Sequence, residues 1–257
     1  MRHLLLLALL STPLAATAAE HCKYEAPRAL KADLAGVRGV QVEVNSFDLH
    51  VTAGGANGLQ ATGRACASEQ SLLDRLQLTS RREGDQLIVT LGSRSGWSSF
   101  SLFGSSYTNL EVNLQLPADM PLTVEVGSGD ADVAGVKQLA SHVGSGDLHV
   151  RDIAGRFSTS VGSGDVEAHD IGSLEVGSVG SGDFKAEGIH GDAHVGSIGS
   201  GDVTLHQVGG SVHAETLGSG DLTVRDVQGD FSLAAKGSGD VDHGGVKGKV
   251  SVPRDDD

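Results

Sequence analysis

After its first ten residues the chain contains no long apolar run, and it is short of cysteine and of positive charge. No later segment approaches the roughly 18 apolar residues that a transmembrane helix requires, so none is expected among the 257 residues. Lys and Arg number 19 against 33 Asp and Glu, for a net charge of −14. A field of that sign repels nucleic acid and anionic lipid and excludes both as partners. The deficit is uneven: residues 20–126 hold 9 basic and 12 acidic side chains, and residues 127–257 hold 9 and 21. The second half would favour cations or basic partners, or simply present a well-solvated surface. The two cysteines, Cys22 and Cys66, allow a single bridge.

What is present begins with "MRHLLLLALLSTPLAATAAEHC", a basic start, a short apolar stretch and small residues. That is the form of a secretory signal peptide, residues 1–19, cut after Ala18 or Ala19. Glu20 and His21 precede Cys22 where a lipoprotein would need small residues. The remainder is expected to be exported, to the periplasm or to the cell surface and medium. Such compartments permit disulfides. A Cys22–Cys66 bond would close a loop of about 45 residues, worth roughly 4 kcal/mol on the chain-entropy account. The rival reading is two free thiols. Neither cysteine has neighbours that would activate it for catalysis.

The dominant feature is a period. "GSGD" occurs seven times, with its aspartates at Asp130, Asp147, Asp165, Asp183, Asp202, Asp221 and Asp240, spaced by 17, 18, 18, 19, 19 and 19 residues. Apolar residues hold fixed columns after each aspartate. One residue on stand Ala131, Leu148, Val166, Phe184, Val203, Leu222 and Val241; six on stand Val136, Ile153, Ile171, Ile189, Val208, Val227 and Val246. Later units add a second pair ten and twelve residues on, such as Val212 with Ala214 and Phe231 with Leu233. Alternation at period two marks short strands, and the glycine-rich breaks mark corners. A strand pair this short buries its apolar side only against neighbours stacked about 4.8 Å away. The pattern therefore predicts an all-β fold, a parallel β-solenoid (β-helix) with one coil per 17–19 residues. Glycine at this density forbids helix in the repeats.

The front of the chain departs from the period. Residues 20–52 read as a first, degenerate coil, with "NSFD" standing where "GSGD" stands later. Residues 53–121 abandon the repeat for longer alternating strands, with "SEQSLLDR" as one helical turn and "EGDQ" as a hairpin tip. They are expected to form an antiparallel β insertion that caps the first coil. Residues 122–252 carry the seven GSGD coils, and 253–257 form an acidic tail whose Pro253 and aspartates would guard an open sheet edge. The rival reading of that tail is a dedicated acidic binding segment.

The segment "LPADMPLTVEVGSGD" and the recurring unit GSGD-Φ-x-Φ-x-x-V/I resemble the bacterial putative-adhesin family of exported β-solenoids, including those labelled auto-transporter adhesin head domains. The resemblance covers about half of the mature chain. It implies a right-handed β-helix at the cell envelope, with no established catalytic residues and no defined activity. The chain lacks a C-terminal run of amphipathic barrel strands and so does not read as a complete autotransporter.

Several constellations could carry chemistry. The aspartate column is either a set of corner caps, with carboxylates bonded to nearby backbone N–H groups and glycines supplying positive φ, or a row of calcium ligands. Calcium-binding β-rolls place aspartate differently, and Asp152, Asp170 and Asp226 recur five residues on in three units only. No helix follows the glycine motif, which disfavours a phosphate cradle. His190, Asp192, His194 and His213 could hold a transition metal on a strand surface, or be ordinary polar exterior. The stretch "SRSGWSSFSLFGSSY" gathers Trp97, Phe100, Phe103 and Tyr107 among serine and glycine, as recognition loops do. Alternatively it folds over the solenoid mouth as a plug. Catalysis is disfavoured, because an active site needs a unique convergence of unlike groups. The expected function is a non-enzymatic envelope scaffold or adhesion module, binding protein or envelope polysaccharide and needing no cofactor. The alternatives are a calcium-stabilised binding protein and a polysaccharide-active β-helix enzyme.

Overall fold

The computed structural model describes residues 22–54, 57–92 and 106–253. The signal segment, the aromatic residues Trp97, Phe100 and Phe103, and the acidic tail after Pro253 lie outside the described residues. Twenty strands and one helical turn make up the rest. The front holds β1 (Tyr24–Ala32), β2 (Gly39–Asn45), β3 (Asp48–Gly54), β4 (Leu59–Ala67), α1 (Gln70–Leu73), β5 (Leu78–Glu83), β6 (Gln86–Leu91) and β7 (Thr108–Pro117). Then come β8 (Leu122–Val126), β9 (Ala131–Ala134), β10 (Leu139–Val143) and two long strands that round a corner, β11 (Leu148–Val161) and β12 (Val166–Val179). The last coils are β13 (Phe184–Ile189), β14 (Ala193–Ile198), β15 (Val203–Val208), β16 (Val212–Leu217), β17 (Leu222–Val227), β18 (Phe231–Lys236), β19 (Val241–Gly244) and β20 (Val250–Ser251).

Each coil supplies one strand to each of two parallel stacks, as the period requires. One stack runs β3–β9–β11–β12–β13–β15–β17–β19 and the other β2–β8–β10–β11–β12–β14–β16–β18–β20. The protein is a parallel β-solenoid. Its core is the space between the stacks. In the coil that starts at Asp202, the residues Val203, Leu205, Val208, Val212, Ala214 and Leu217 all point inward and are buried. Phe157, Phe184 and Phe231 are the largest fully buried side chains. One polar pair sits among them, the Ser141 hydroxyl donating to Thr159 Oγ1 at 2.7 Å, which satisfies both groups at a cost far below that of leaving either alone.

The front differs from expectation in two ways. The coil begins near Val37 rather than at residue 20, because β1 is an outer strand paired antiparallel with β4. The insertion is also only half antiparallel. β6 and β7 run parallel to β2 and β3 and form one further coil layer beyond them. The antiparallel strands β4 and β5 then attach to that layer. Period-two alternation reports which face is apolar and says nothing of a neighbour's direction, so the sequence could not separate these arrangements. The helical turn and the hairpin tip fall where expected, with Gly84 at φ 64° in the tip. Arg28 ties the turn down by donating to the carbonyls of Leu73 and Leu76. Cys22 and Cys66 are bonded, with Cα atoms 5.5 Å apart, stapling β1 to β4.

The corners are where the structure sharpens the motif. None of the GSGD glycines has positive φ, contrary to the expected role. They are needed because the coils come too close for a side chain. A Cβ on Gly146, Gly164, Gly182, Gly201, Gly220 or Gly239 would lie 1.8–1.9 Å from the carbonyl oxygen of the equivalent glycine one coil back. Positive φ occurs instead five residues after every motif aspartate, at Gly135, Asp152, Asp170, Gly188, Gln207, Asp226 and Gly245. Two successive residues there face outward, which rephases the strand so that residues three and six after the aspartate both face the core. The partial Asp152–Asp170–Asp226 column thus reflects left-handed backbone, which aspartate tolerates better than most residues.

Gly201→Ala is accordingly expected to cost at least about 3 kcal/mol, since backbone must move to admit the methyl group. The neighbouring exposed Ser200→Ala should stay within about 0.5 kcal/mol. Chemical unfolding followed by circular dichroism compares them; equal stabilities would refute the steric account.

Candidate functional site

The seven aspartates lie in one exposed line along the GSGD corner. The first six carboxylates each accept a bond from the backbone N–H of the next coil's aspartate: Asp147 N–H to Asp130 at 3.2 Å, Asp183 N–H to Asp165 at 2.9 Å, Asp221 N–H to Asp202 at 2.8 Å, and so on up to the N–H of Asp240. The capped N–H therefore belongs to the neighbouring coil, and the ladder runs between coils. A shorter ladder lines the opposite corner, where Asp192 accepts from Ser211 N–H, Ser211 Oγ from Asp230 N–H, and Asp230 from Lys249 N–H.

Asp48 begins the main ladder, opposite Asp130. Burial, and then the charges of Asp130 and Glu111, push its carboxyl above the usual aspartate range. The N–H of Asp130 donates to it and pulls the other way. Phe47, standing where later coils have glycine, lays its ring over Gly92.

The outward residues of the β3–β19 stack form rows of opposite charge. His50 Nδ1 lies 2.8 Å from Asp132 and its Nε2 3.7 Å from Glu111. Glu167 is a hub: Lys185 reaches it at 3.2 Å, His169 at 3.3 Å and His149 at 3.8 Å. The hydrogen bond from Lys185 holds the Glu167 carboxyl below its ordinary range. On the β2–β20 stack, Arg156 pairs with Glu175 at 3.1 Å and His194 with Glu215 at 3.3 Å. A shallow groove of about 770 Å³ lies between them, lined by Arg156, Glu175, Asp192, His194 and His213. The rings of His194 and His213 stack with centroids 5.3 Å apart. These rows could have been found from the repeat alignment by reading the outward columns as carefully as the inward ones.

Of the expected metal set, the structure brings together Asp192, His194 and His213 but sets His190 on a different groove, beside Asp170 and Gln207. Asp192 is occupied as a corner acceptor and His213 Nδ1 faces Ser232 Oγ at 2.8 Å. Among the described residues no three His, Cys, Asp or Glu side chains converge as a metal-holding group. Of the aromatic set only Tyr107 is described. It is 44% exposed, its hydroxyl accepts from Lys23 N–H at 3.0 Å, and it stands just before β7 at the capped end.

Residues 37–247, from the first coil to the last, match the Toastrack DUF4097 family. The chain belongs to that family. A solved structure from Parabacteroides distasonis, described as a putative lipid binding protein, is 16% identical, with 90% of this chain and 98% of that one aligned at a TM-score of 0.53. At that identity the likeness shows the shared fold. Putative adhesins from Parabacteroides distasonis and Bacteroides fragilis align over 90% of this chain, at 12% and 13% identity and TM-scores of 0.45 and 0.40. Those two chains are covered to 97% and 98%. No curated protein matches the chain.

Two outcomes follow for the ladder. EDTA or millimolar calcium should leave the thermal unfolding midpoint unchanged, because ladder carboxylates already serve the backbone; a rise of several degrees with calcium would overturn this. For Asp48 the native state holds its proton more tightly than the unfolded chain, whose aspartate titrates near pH ~4. Stability from this group is thus present at low pH and lost as pH rises through the folded value. Asp48→Asn should raise the urea midpoint at pH 7.5, with the advantage vanishing by pH 3.5.

Proposed function

We propose that this Toastrack protein is an exported, non-enzymatic adhesion or scaffold module of the cell envelope. The observation that carries the reading is the character of its exposed faces. They are rows of paired charges that recur along the coils and suit an extended partner, and among the described residues no single convergence of unlike reactive groups stands out. The family model and the solenoid fold support it, and the Cys22–Cys66 bond suits an oxidising compartment. Envelope polysaccharide or a surface protein is the partner class, and no cofactor is required.

Within that reading, Trp97, Phe100, Phe103 and Tyr107 supply the recognition surface, joined to the capped end between β6 and β7. Amphipathic rings at a loop give contact area at low entropic cost. Replacing residues 93–105 with a glycine-serine linker should abolish binding to cell-wall polysaccharide or whole cells in a pull-down while leaving the thermal midpoint within a few degrees. Unchanged binding would refute the recognition role, and a large loss of stability would favour a plug.

A further inference from the structure

The outward side chains of the β2–β20 stack bring two histidines to the same level on neighbouring coils. His194 of β14 and His213 of β16 are register partners, and among the described residues no other two histidines are. Their ring centroids lie 5.3 Å apart, with 22° between the planes. The His194 side chain is 42% exposed and His213 is exposed, so both rings are free to turn about their last side-chain bond. His190, only four residues before His194, is turned into another groove, and Asp192 is committed to the corner ladder.

In each ring one nitrogen faces an oxygen that can hold it. His194 Nε2 lies 3.3 Å from Glu215, and His213 Nδ1 lies 2.8 Å from Ser232 Oγ. The other two nitrogens, Nδ1 of His194 and Nε2 of His213, make no hydrogen bond among the described residues. Metal-binding imidazoles are arranged in this way: an oxygen takes the far N–H, which fixes the ring and leaves the lone pair of the near nitrogen for the ion. His50, by contrast, has a carboxylate at both nitrogens. The surrounding charge also suits a cation. Glu175, Asp192 and Glu215 stand beside the pair, and the Arg156 that lines the same groove is already paired with Glu175 at 3.1 Å.

We propose that His194 and His213 form a zinc site in this groove, with Nδ1 of His194 and Nε2 of His213 as ligands and Glu215 and Ser232 as their orienting partners. Zinc–nitrogen bonds measure about 2.0–2.1 Å, so two nitrogens that share one ion stand roughly 3–4 Å apart. Rings with centroids 5.3 Å apart reach that separation when each turns one nitrogen inward. Imidazole nitrogen selects zinc and its transition-metal neighbours over calcium and magnesium, which prefer oxygen ligands. The chain supplies two ligands, and the other positions of a tetrahedral ion go to water or to a donor from another molecule. The site lies on the β2–β20 stack, apart from the aromatic segment between β6 and β7, so it stands whether or not that segment recognises a partner.

Isothermal titration of zinc into the full chain, first stripped of metal with a chelator, tests this. The parent should bind zinc saturably, and His194→Ala and His213→Ala should each weaken that binding at least about tenfold, because losing a ligand costs no less than losing its outer partner. His190→Ala should bind like the parent, and millimolar calcium or magnesium should not compete. All three side chains lie on the outside of the solenoid, so the variants should fold, as circular dichroism would verify. The proposal is overturned by a parent that shows no saturable binding up to millimolar zinc, or by an unchanged isotherm when both His194 and His213 are alanine. An equal loss in His190→Ala, or displacement of zinc by calcium, would overturn it too.

Discussion

At five of the seven GSGD corners the first glycine's carbonyl accepts the N–H of the serine one coil on, at 2.7–2.8 Å, with Ser145, Ser163, Ser181, Ser200 and Ser219 donating. That close approach organises the whole molecule. It leaves no space for a Cβ at the second glycine, it brings each aspartate within reach of the next coil's N–H, and it fixes the height of every coil. Once the corners are stacked, the strands between them have no freedom of register. Their inward residues fall above one another, and a continuous apolar core follows from units that could not bury anything alone.

The aspartate ladder has a second consequence. A buried or unpaired backbone N–H is expensive, and a corner exposes several of them. By lending one carboxylate oxygen to the next coil, each aspartate satisfies a donor that no strand pairing reaches, and it stays exposed enough to remain solvated. Asp48 is the exception, because it is partly buried at the start of the row with Asp130 and Glu111 beside it. The acidic line therefore serves the backbone first.

The exposed stacks are built on this rigid frame. His50 with Asp132, Glu167 with Lys185, and Arg156 with Glu175 join adjacent coils across the sheet, so charges that would be independent in a loop are held in rows. Surface pairs of this kind add little stability.

The sequence by itself determined the solenoid, its coil length and its inward residues, because each depends on periodicity; its two cysteines allowed one disulfide, which the structure shows formed. It also located the helical turn and the hairpin tip. Only the tertiary structure decided why the glycines are needed. Steric crowding between coils and left-handed backbone both call for glycine, and a single chain of letters does not distinguish them. The column with glycine, aspartate and glutamine five residues on was visible, but its meaning required φ. The direction of β6 and β7 was likewise undecidable, since alternation is the same in parallel and antiparallel strands. The histidines His190 and His194 are four residues apart in sequence, yet a corner turns them into different grooves.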